Sequence, residues 1–265
     1  MLATQPDAQA ELVVAAAESK SVRGIIAEKP LAHELPAAAR QVEACEREGV
    51  LLAVSHQTRY SAPFVRVKEL VDAGELGELQ TMNAVGYGGL LHQGTHQVDA
   101  MRWISGADVS WVMSQAERDP ARLRRHVESQ DREWSDENDP SPPWSTSHLG
   151  FENGIRATME VGSLYQRSGP YIDDWLQRRI TVVGTEGVAE ARISGRLSIT
   201  TRRGHEDTDD EIEKVILSTF ALHADVRDAL REDRPPRATG REALEALRVL
   251  VACFESASAG GLVSV

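Results

Sequence analysis

Two short, continuous apolar segments constrain the fold more than any other feature of this sequence. They are Gly24–Ala27 and Val50–Ser55, and between them Leu35–Glu48 has the apolar spacing of a helix that ends at Gly49. Strands that are apolar on both faces are typical of a parallel sheet covered by helices, and parallel neighbours need a crossover helix. A further helix is predicted at Asp7–Lys20. The first part of the chain is therefore predicted to be a parallel α/β unit.

After Tyr60 the pattern changes to helices on a mostly antiparallel sheet, and the Asn153-Gly154 pair suits the type I′ turn of a hairpin. The predicted elements here are the helices Pro63–Ala73, Gly94–Ser105, Ile212–Arg231 and Arg241–Ala257, the strands Leu79–Tyr87, Trp144–Phe151, Ile155–Val161, Arg179–Val183, Val188–Ile193 and Arg196–Thr201, and a polar loop at Glu117–Pro143. The fold class is therefore α/β plus α+β. A partial parallel sheet in residues 1–58 precedes a mostly antiparallel open sheet domain with helices on one face in residues 59–265. The last helix is placed to pack back on the first domain.

Charge and cysteine content exclude several classes of protein. The formal net charge of −12 would be repelled by phosphate backbones and anionic membrane surfaces, so neither nucleic acid nor a membrane is an expected partner. Cys45 and Cys253 lie in apolar helical segments and are predicted to be buried free thiols. No apolar segment approaches the roughly 20 residues of a membrane span, and no leader sequence is visible, which fits a cytoplasmic protein.

The first candidate site is the run Glu28-Lys29-Pro30, which directly follows the first apolar strand. Ligands of open parallel sheets bind at the carboxyl ends of the strands. A lysine there is partly desolvated and can donate a hydrogen bond to a substrate hydroxyl. The proline allows a cis peptide that would fix the direction of the lysine. A structural salt bridge is the alternative interpretation.

The second candidate site lies around Gly94, where His92, His96 and Asp99 recur at spacings of four and three residues. These spacings put the three side chains on one helical face. An imidazole there could accept a proton near neutral pH, although a histidine on an apolar helix face is more often a satisfied core residue. A metal site is a further alternative, but Gln93 stands where a zinc hydrolase has its glutamate, so metal hydrolysis is a minor one.

The third candidate site is His56–Tyr60, which follows the second apolar strand at the same sheet edge as Lys29. Its Arg59 and Tyr60 could hold a polar substrate or a cofactor. An interdomain ion pair with ring packing is an equal alternative.

Six short motifs occur in the order and spacing of one known family. They are Thr4-Gln5-Pro6, Glu28-Lys29-Pro30, Arg59-Tyr60, Gly94-x-His96-x-x-Asp99, Phe151-Glu152-Asn153-Gly154 and Val183-Gly184-Thr185-Glu186-Gly187. Together they resemble the glucose–fructose oxidoreductase / inositol dehydrogenase (Gfo/Idh/MocA) family over nearly the whole chain. The resemblance implies an oxidoreductase with a Rossmann-type first domain. Such an enzyme transfers a hydride between NAD or NADP and a sugar, inositol or related polyol.

The resemblance also implies roles for single residues. Lys29 would polarise the reacting oxygen and His96 would take the hydroxyl proton, with His92 as the other candidate base. The expected cofactor contacts are Thr4, Pro6, Glu28, Lys29 and His56, and the expected substrate contacts are Arg59, Tyr60, His92, Asp99 and Tyr165. A homo-oligomer formed through the sheet domain is the family expectation.

Two departures from the family pattern limit these expectations. His92 stands where the family usually has an aspartate that would raise the basicity of His96. The Gly-rich phosphate loop is missing, because the run Gly86-x-Gly88 has Leu91 at the sixth position and no helix-opening glycine. Two missing βαβ units would amount to about 60–75 residues, so the chain is expected to be N-terminally truncated and to bind NAD(P) poorly by itself. A non-catalytic binding or assembly protein derived from the family is the alternative function.

Overall fold

The computed structural model describes residues 1–4, 6–117, 142, 144–162, 178–209 and 215–265. Its helices are α1 (Pro6–Glu18), α2 (Leu35–Glu48), α3 (Ala62–Asp72), α4 (Gly94–Ser105), α5 (Val215–Glu232) and α6 (Gly240–Ala259), with a 3₁₀ turn at Gln57–Tyr60. Its strands are β1 (Gly24–Ala27), β2 (Leu51–Val54), β3 (Leu79–Gly86), β4 (Val109–Ala116), β5 (Trp144–Phe151), β6 (Arg156–Gly162), β7 (Arg179–Gly184), β8 (Gly187–Arg192), β9 (Arg196–Thr201), β10 (Gly204–Asp209) and β11 (Leu262–Ser264). Most of the predicted loop Glu117–Pro143, the start of the predicted helix Ile212–Arg231, and the expected substrate contact Tyr165 lie outside the described residues.

The N-terminal part contains the parallel sheet that the two apolar segments predicted. β1 and β2 pair in parallel, from Gly24 opposite Leu51 to Ala27 opposite Val54. Leu2 adds a parallel bridge to Ala27. α1 packs on β1, and α2 packs on β2, so both strands are largely buried. The carboxyl ends of the two strands therefore open at one edge of the sheet.

The second sheet is built mostly from antiparallel neighbours, as predicted. Among the described residues it has nine strands in the order β10-β9-β8-β7-β3-β6-β5-β4-β11. The pair β3 and β6 is parallel, from Thr81 opposite Arg156 to Gly86 opposite Val161. α4 packs against β3 and β6, while α6 packs against β4. The predicted fold class, a small parallel sheet followed by a large, mostly antiparallel one, is confirmed.

α6 joins the two sheets into one structure. It begins at Thr239, whose side-chain oxygen accepts a hydrogen bond from the Glu242 N–H at 3.1 Å and so caps the helix. Thr239 also bridges to Ala53 of β2. A Cβ atom on Gly240 would lie 2.5 Å from Leu52, so glycine allows the helix to approach β2 this closely. The far end of α6 lies on the second sheet, against β4 and β11.

The hairpin between β5 and β6 forms with a different turn from the one predicted. Gly154 has a positive φ of 89°, but Asn153 does not. The Gly154 N–H donates to the Phe151 carbonyl oxygen at 3.0 Å. A type I′ turn needs positive φ at both central residues, so the type I′ prediction is wrong. The left-handed glycine instead follows the tight turn and leads into β6.

Two simpler predictions concern the cysteines and the membrane. Cys45 and Cys253 are both buried free thiols, as predicted. Burial, helped by the neighbouring Glu46 carboxylate, raises the pKa of Cys45 to about 11, so this thiol is unreactive at neutral pH. In the described ranges, no helix is both long enough and apolar enough to cross a bilayer.

Candidate functional site

Lys29 is held at the carboxyl end of β1 by a well-anchored backbone. The Gln9 side chain of α1 accepts from the Glu28 N–H at 2.8 Å and donates to the Glu28 carbonyl oxygen at 2.8 Å. The same amide donates to the Leu31 carbonyl oxygen at 3.0 Å, and the intervening Lys29–Pro30 peptide is cis. The hydrogen bonds to Gln9 hold the backbone on both sides of Lys29. The Lys29 ammonium donates to the His92 carbonyl oxygen at 3.2 Å, which brings β1 to the segment preceding α4.

His96 lies in the first turn of α4 and is buried. Burial lowers its pKa well below the usual value, and the positive charges of Arg178 and Lys29 lower it further. The imidazole is therefore neutral at pH 7 and able to accept a proton. Its Nδ1 atom is buried and has no hydrogen-bond partner among the described residues. The charge of Lys29, which is distant in sequence, therefore acts on His96, and Lys29 also bonds to the His92 carbonyl oxygen four residues before it.

His56 lies beside His96 rather than on the open edge of the sheet. The two rings meet edge to face, with centroids 5.6 Å apart. His56 Nε2 lies 3.0 Å from the Thr95 hydroxyl oxygen, and His56 Nδ1 lies 3.1 Å from an Asp99 carboxylate oxygen. His56 is only 1% exposed, so it contacts protein groups where a cofactor contact was expected. Its ring instead packs against the ring of His96, beside Thr95 and Asp99.

Asp99 and Arg59 form a buried ion pair. Arg59 donates through Nε and Nη2 to the two Asp99 carboxylate oxygens, at 2.7 and 2.8 Å. Burial by itself would raise the pKa of Asp99, but the charges of Arg59 and His56 hold it well below its usual range. Arg59 Nη2 also donates to Glu242 of α6 at 2.9 Å. These contacts correspond to the interdomain ion pair, the alternative interpretation of this motif.

Tyr60 has a similar structural environment. Its hydroxyl donates to the Asp225 carboxylate of α5 at 2.9 Å, and the guanidinium of Arg237 lies 5.1 Å from the ring centroid. Burial, followed by the Asp225 charge, raises the pKa of Tyr60 above its usual value. The expected substrate contacts Arg59, Tyr60 and Asp99 therefore all bond to protein groups. They brace the 3₁₀ turn against α4, α5 and α6.

The spacing predicts that His92 shares a helix with His96 and Asp99, but in the structure His92 lies outside that helix. α4 begins at Gly94, so His92 belongs to the turn before it, and its ring contacts His33 with centroids 5.8 Å apart. Among the described residues, no group of three histidine, cysteine or acidic side chains is arranged to hold a metal ion. The carboxylate that the metal alternative required, Asp99, is already bonded to Arg59.

Two of the remaining expected contacts, Thr4 and Pro6, lie at the start of α1. Thr4 is half-buried and Pro6 is buried. Both follow Leu2, whose bridge to Ala27 places this segment beside the end of β1. Glu28, at the end of β1 itself, is half-buried. These residues therefore line the same edge as Lys29, and a contact with a cofactor remains a prediction for them.

Sequence reasoning missed Arg178 and Gln97. Arg178 is 5% exposed and donates to the Thr58 hydroxyl oxygen and to the Gln93 side-chain oxygen, both at 2.8 Å. Gln97 is fully buried in α4. One signal was present: Arg178 stands two residues before Ile180, so the alternation of β7 puts it in phase with a core residue. Nothing in the sequence distinguished Gln97 from a surface glutamine.

A cavity of about 650 Å³ lies elsewhere in the molecule. Its lining includes Cys45, Gly49 and Leu51 from the α2–β2 region and Leu230 and Asp233 from the end of α5. None of the side chains around His96 lines it. It is a groove beside β2, and it is separate from the candidate site.

Comparison with known proteins decides the family. Residues 68–265 match the family described as "Oxidoreductase family, C-terminal alpha/beta domain" (GFO_IDH_MocA_C), and this range contains the whole second sheet. The chain belongs to the Gfo/Idh/MocA oxidoreductase family. The resemblance drawn from its six motifs is thereby confirmed.

Three proteins illustrate how this Gfo/Idh/MocA chain relates to others. A 1-carboxy-3-chloro-3,4-dihydroxycyclohexa-1,5-diene dehydrogenase of Comamonas testosteroni is 28% identical over 172 residues, which cover 57% of this chain and 39% of that protein. The scyllo-inositol 2-dehydrogenase (NADP(+)) IolW of Bacillus subtilis is 22% identical over 271 residues, covering 88% of this chain and 69% of that protein. A crystal structure of an oxidoreductase from Agrobacterium radiobacter, in complex with NAD+, L-tartaric acid and magnesium, has a TM-score of 0.80 at 22% identity and covers 99% of this chain and 78% of that one. This last likeness supports the fold.

Proposed function

We propose that this site oxidises a secondary alcohol of a sugar, an inositol or a related polyol, with NAD or NADP as the hydride acceptor. The observation that carries the proposal is the convergence of Lys29 and His96. Lys29 comes from the parallel sheet and His96 from the first turn of α4, yet the lysine ammonium is one of the charges that lower the pKa of His96. A neutral base that takes the hydroxyl proton and a cation that donates a hydrogen bond to the oxygen both favour the oxidation of an alcohol.

The chemistry of the two side chains follows from their surroundings. His96, neutral at pH 7, would accept the hydroxyl proton of the substrate. The Lys29 ammonium would donate a hydrogen bond to the same oxygen and so stabilise the negative charge that develops on it. The nicotinamide ring, when bound, would take the hydride from the carbinol carbon. We assign His56, Asp99 and Arg59 as positioning residues, because they are buried and bond to one another and to other protein groups beside His96.

The residues at the edge of the parallel sheet fit only one end of a nicotinamide cofactor. Thr4, Pro6 and Lys29 would lie along its nicotinamide half. Pyrophosphate is usually held by a glycine-rich turn that leads from a strand into a helix N-terminus. Within the described residues, the turn from β1 to α2 is Glu28–Glu34, which contains no glycine. We therefore derive no phosphate-binding step from these residues.

The relatives support a hydroxylated substrate. One is described as a dehydrogenase of a dihydroxylated, carboxylated ring and another as an NADP-dependent dehydrogenase of scyllo-inositol. The structural neighbour was crystallised with NAD+ and a hydroxy acid. All three descriptions fit oxidation at a carbinol carbon, although the choice among sugars, inositols and other polyols is part of the proposal.

The test is an assay of sugar and inositol oxidation with NAD+ and with NADP+, run on this chain together with any residues that its gene encodes upstream. Lys29→Ala is expected to reduce kcat/KM by about 10²–10⁴-fold, because the developing charge on oxygen loses its donor. Lys68→Ala, which removes a lysine on α3 that pairs with Asp72, is the matched control and is expected to retain activity. Near-normal turnover by Lys29→Ala, with its thermal stability unchanged, would remove Lys29 from the mechanism.

A second function is favoured by one observation, the lack of a glycine-rich phosphate turn within the described parallel sheet. The alternative is a non-catalytic binding or assembly protein derived from the same family. It predicts that polyols bind and that Lys29→Ala weakens their binding. It also predicts no turnover with either cofactor in any form of the gene product.

A further inference from the structure

Arg178 is a buried cation that contacts neutral groups. Its guanidinium donates to the Thr58 hydroxyl oxygen and to the Gln93 amide oxygen, and no ion pair joins it to a carboxylate of the described residues. Among the described residues, the other two arginines buried to this extent, Arg59 and Arg102, are both paired with carboxylates. Because nothing offsets its desolvation, burial lowers the pKa of Arg178 to about 9. Burying such a charge costs free energy of folding unless an anion pairs with it.

A second buried group next to Arg178 also lacks a partner. Gln97 is fully buried, and neither its side-chain oxygen nor its nitrogen has a hydrogen-bond partner among the described residues. Its amide packs on Gly86, where a Cβ atom would lie 2.2 Å from Gln97 Nε2. An unsatisfied buried amide costs about 1–3 kcal/mol, so a ligand that bonds to it would recover that cost.

The strand register brings these two groups together. Val85 of β3 pairs with Arg179 of β7, so the next antiparallel pair along the register is Gly86 with Arg178. Directly opposed residues of an antiparallel pair point to the same face of the sheet. The Gln97 amide, which packs on Gly86, is therefore on the same face as the Arg178 guanidinium. Gln97 lies in α4, and Gln93, which accepts a hydrogen bond from Arg178, lies one helical turn before it.

The local charge is opposite to that of the whole molecule. The chain has a formal net charge of −12, yet the two charges that most lower the pKa of His96 after burial are those of Arg178 and Lys29. The Asp99 carboxylate is bonded to Arg59 and does not pair with Arg178. A carboxylate that approached the Arg178 guanidinium would therefore meet a positive charge that no described carboxylate neutralises, in a poorly solvated environment.

We propose that the substrate carries a carboxylate, and that Arg178, with the Gln97 amide beside it, binds this group. The preferred substrates are then sugar acids, such as aldonates or uronates, rather than neutral polyols. The proposal rests on the proposed function and narrows its substrate class. A guanidinium has five N–H donors. Thr58 and Gln93 accept from two of them. The other donors remain for a carboxylate, whose two oxygens match the spacing of the guanidinium N–H groups.

The experiment measures ligand binding by this chain through isothermal titration calorimetry and ligand-observed NMR, with and without added NAD+. The probes are D-gluconate and D-glucuronate against their neutral counterparts sorbitol and D-glucose, with inorganic phosphate as a second anion. We expect the acids to bind about 10–100-fold more tightly than the neutral compounds, the range expected for hydrogen bonds to a charged group. Phosphate should bind more weakly than either acid.

Two variants assign this preference to Arg178. Arg178→Gln should remove the preference for acids, because the guanidinium that would pair with the carboxylate is gone. Arg178→Lys keeps the charge without the fork and should retain only part of the preference. The matched control is Arg179→Gln, which makes the same change one residue along the chain, where the side chain points to the opposite face. It should keep the preference of the wild type.

The outcomes separate this proposal from the proposed function. Equal binding of acids and neutral polyols, or a preference that persists in Arg178→Gln, would overturn the carboxylate site and leave polyol oxidation standing. Phosphate binding as tight as that of the acids would also overturn it, since the site would then be a general anion site or belong to the cofactor. Failure of all the sugar probes to bind would contradict both proposals. Arg178→Lys provides the test if Arg178→Gln does not fold.

Discussion

His96 illustrates how a single residue receives its chemistry from its neighbours. The sequence shows a histidine in the first turn of an apolar helix, which is most often a core residue. The structure surrounds this histidine with two cations and two further imidazoles and lowers its pKa. Its neutral state at pH 7 is therefore a property of the assembled site. The replacement of the usual family aspartate by His92 acts in the same direction, since His92 is among the groups that lower the pKa of His96.

His92→Asp is the sharpest single-residue test of this environment. A carboxylate near His96 favours the imidazolium, so the pKa of His96 is expected to rise. The base must be neutral to accept a proton, so the acidic limb of the kcat/KM profile should move to higher pH. NMR titration of the His96 ring should show the same shift without any need for turnover. His205→Asp, on the exposed strand β10, is the control, and an unchanged His96 titration in His92→Asp would contradict the assignment.

The Asp99–Arg59 pair makes a prediction about stability. Asp99 has its pKa depressed in the folded state, so its contribution is fully present above the unfolded pKa of about 3.9. It is lost as pH falls through the folded value. Asp99→Asn is expected to cost about 3–5 kcal/mol in the free energy of unfolding at pH 7, because Arg59 loses its buried partner. The free energy of unfolding of Asp99→Asn should also fall less steeply than that of the wild type as the pH drops below about 4, because the variant has no carboxylate to protonate at this position.

Urea denaturation at several pH values measures both effects of Asp99→Asn. The control is Asp207→Asn, which breaks a pair with Arg196 at the protein surface and should cost less than about 1 kcal/mol. Equal stability losses in the two variants would show that burial does not strengthen the Asp99 pair.

At the scale of elements, α6 decides how the two sheets are held together. The sequence predicts a helix here, at Arg241–Ala257, and the structure begins it one residue earlier, at Gly240. The close approach of Gly240 to Leu52 could not be predicted, because nothing in a local pattern says which distant strand a helix touches. The same limit explains why β11 was missed. It is three residues long, and its partner is β4, far away in the chain.

Gly240→Ala tests the contact between α6 and β2. The new methyl group would lie 2.5 Å from a Leu52 side-chain carbon, so the two elements must separate or Leu52 must change rotamer. The free energy of unfolding is expected to fall by about 1–3 kcal/mol, even though alanine favours helices. Gly261→Ala is the control, since its methyl group would meet nothing within 4 Å. In a Leu52→Ala background, Gly240→Ala should cost less stability than it does in the wild type, because the clash is absent. Full additivity of the two changes would contradict the clash.

At the scale of the whole molecule, the described parallel sheet contributes Lys29 to the candidate site, but the turn that follows β1 contains no glycine. The described residues bring Lys29, His96 and Arg178 together but provide no glycine-rich turn at the parallel sheet. Fluorescence titration of this chain with NADH and NADPH is therefore expected to give no saturable binding in the micromolar range. Micromolar affinity for either cofactor would contradict this expectation and would require a phosphate cradle of another kind. A homo-oligomer formed through the second sheet remains a prediction that sedimentation would test.

The sequence by itself determined most of the helices and strands, and the family. Periodic apolar residues fixed β1, α2, α4 and β9 to within a residue, because each pattern reflects local geometry and one buried face. Short motifs such as Glu28-Lys29-Pro30 identified the relatives. Only the tertiary structure decided which polar groups face one another. It paired Arg59 with Asp99, brought Lys29 to the segment that leads into the helix of His96, and gave Arg178 no carboxylate partner among the described residues. Those facts depend on distances between residues far apart in the chain, and a one-dimensional pattern does not contain such distances.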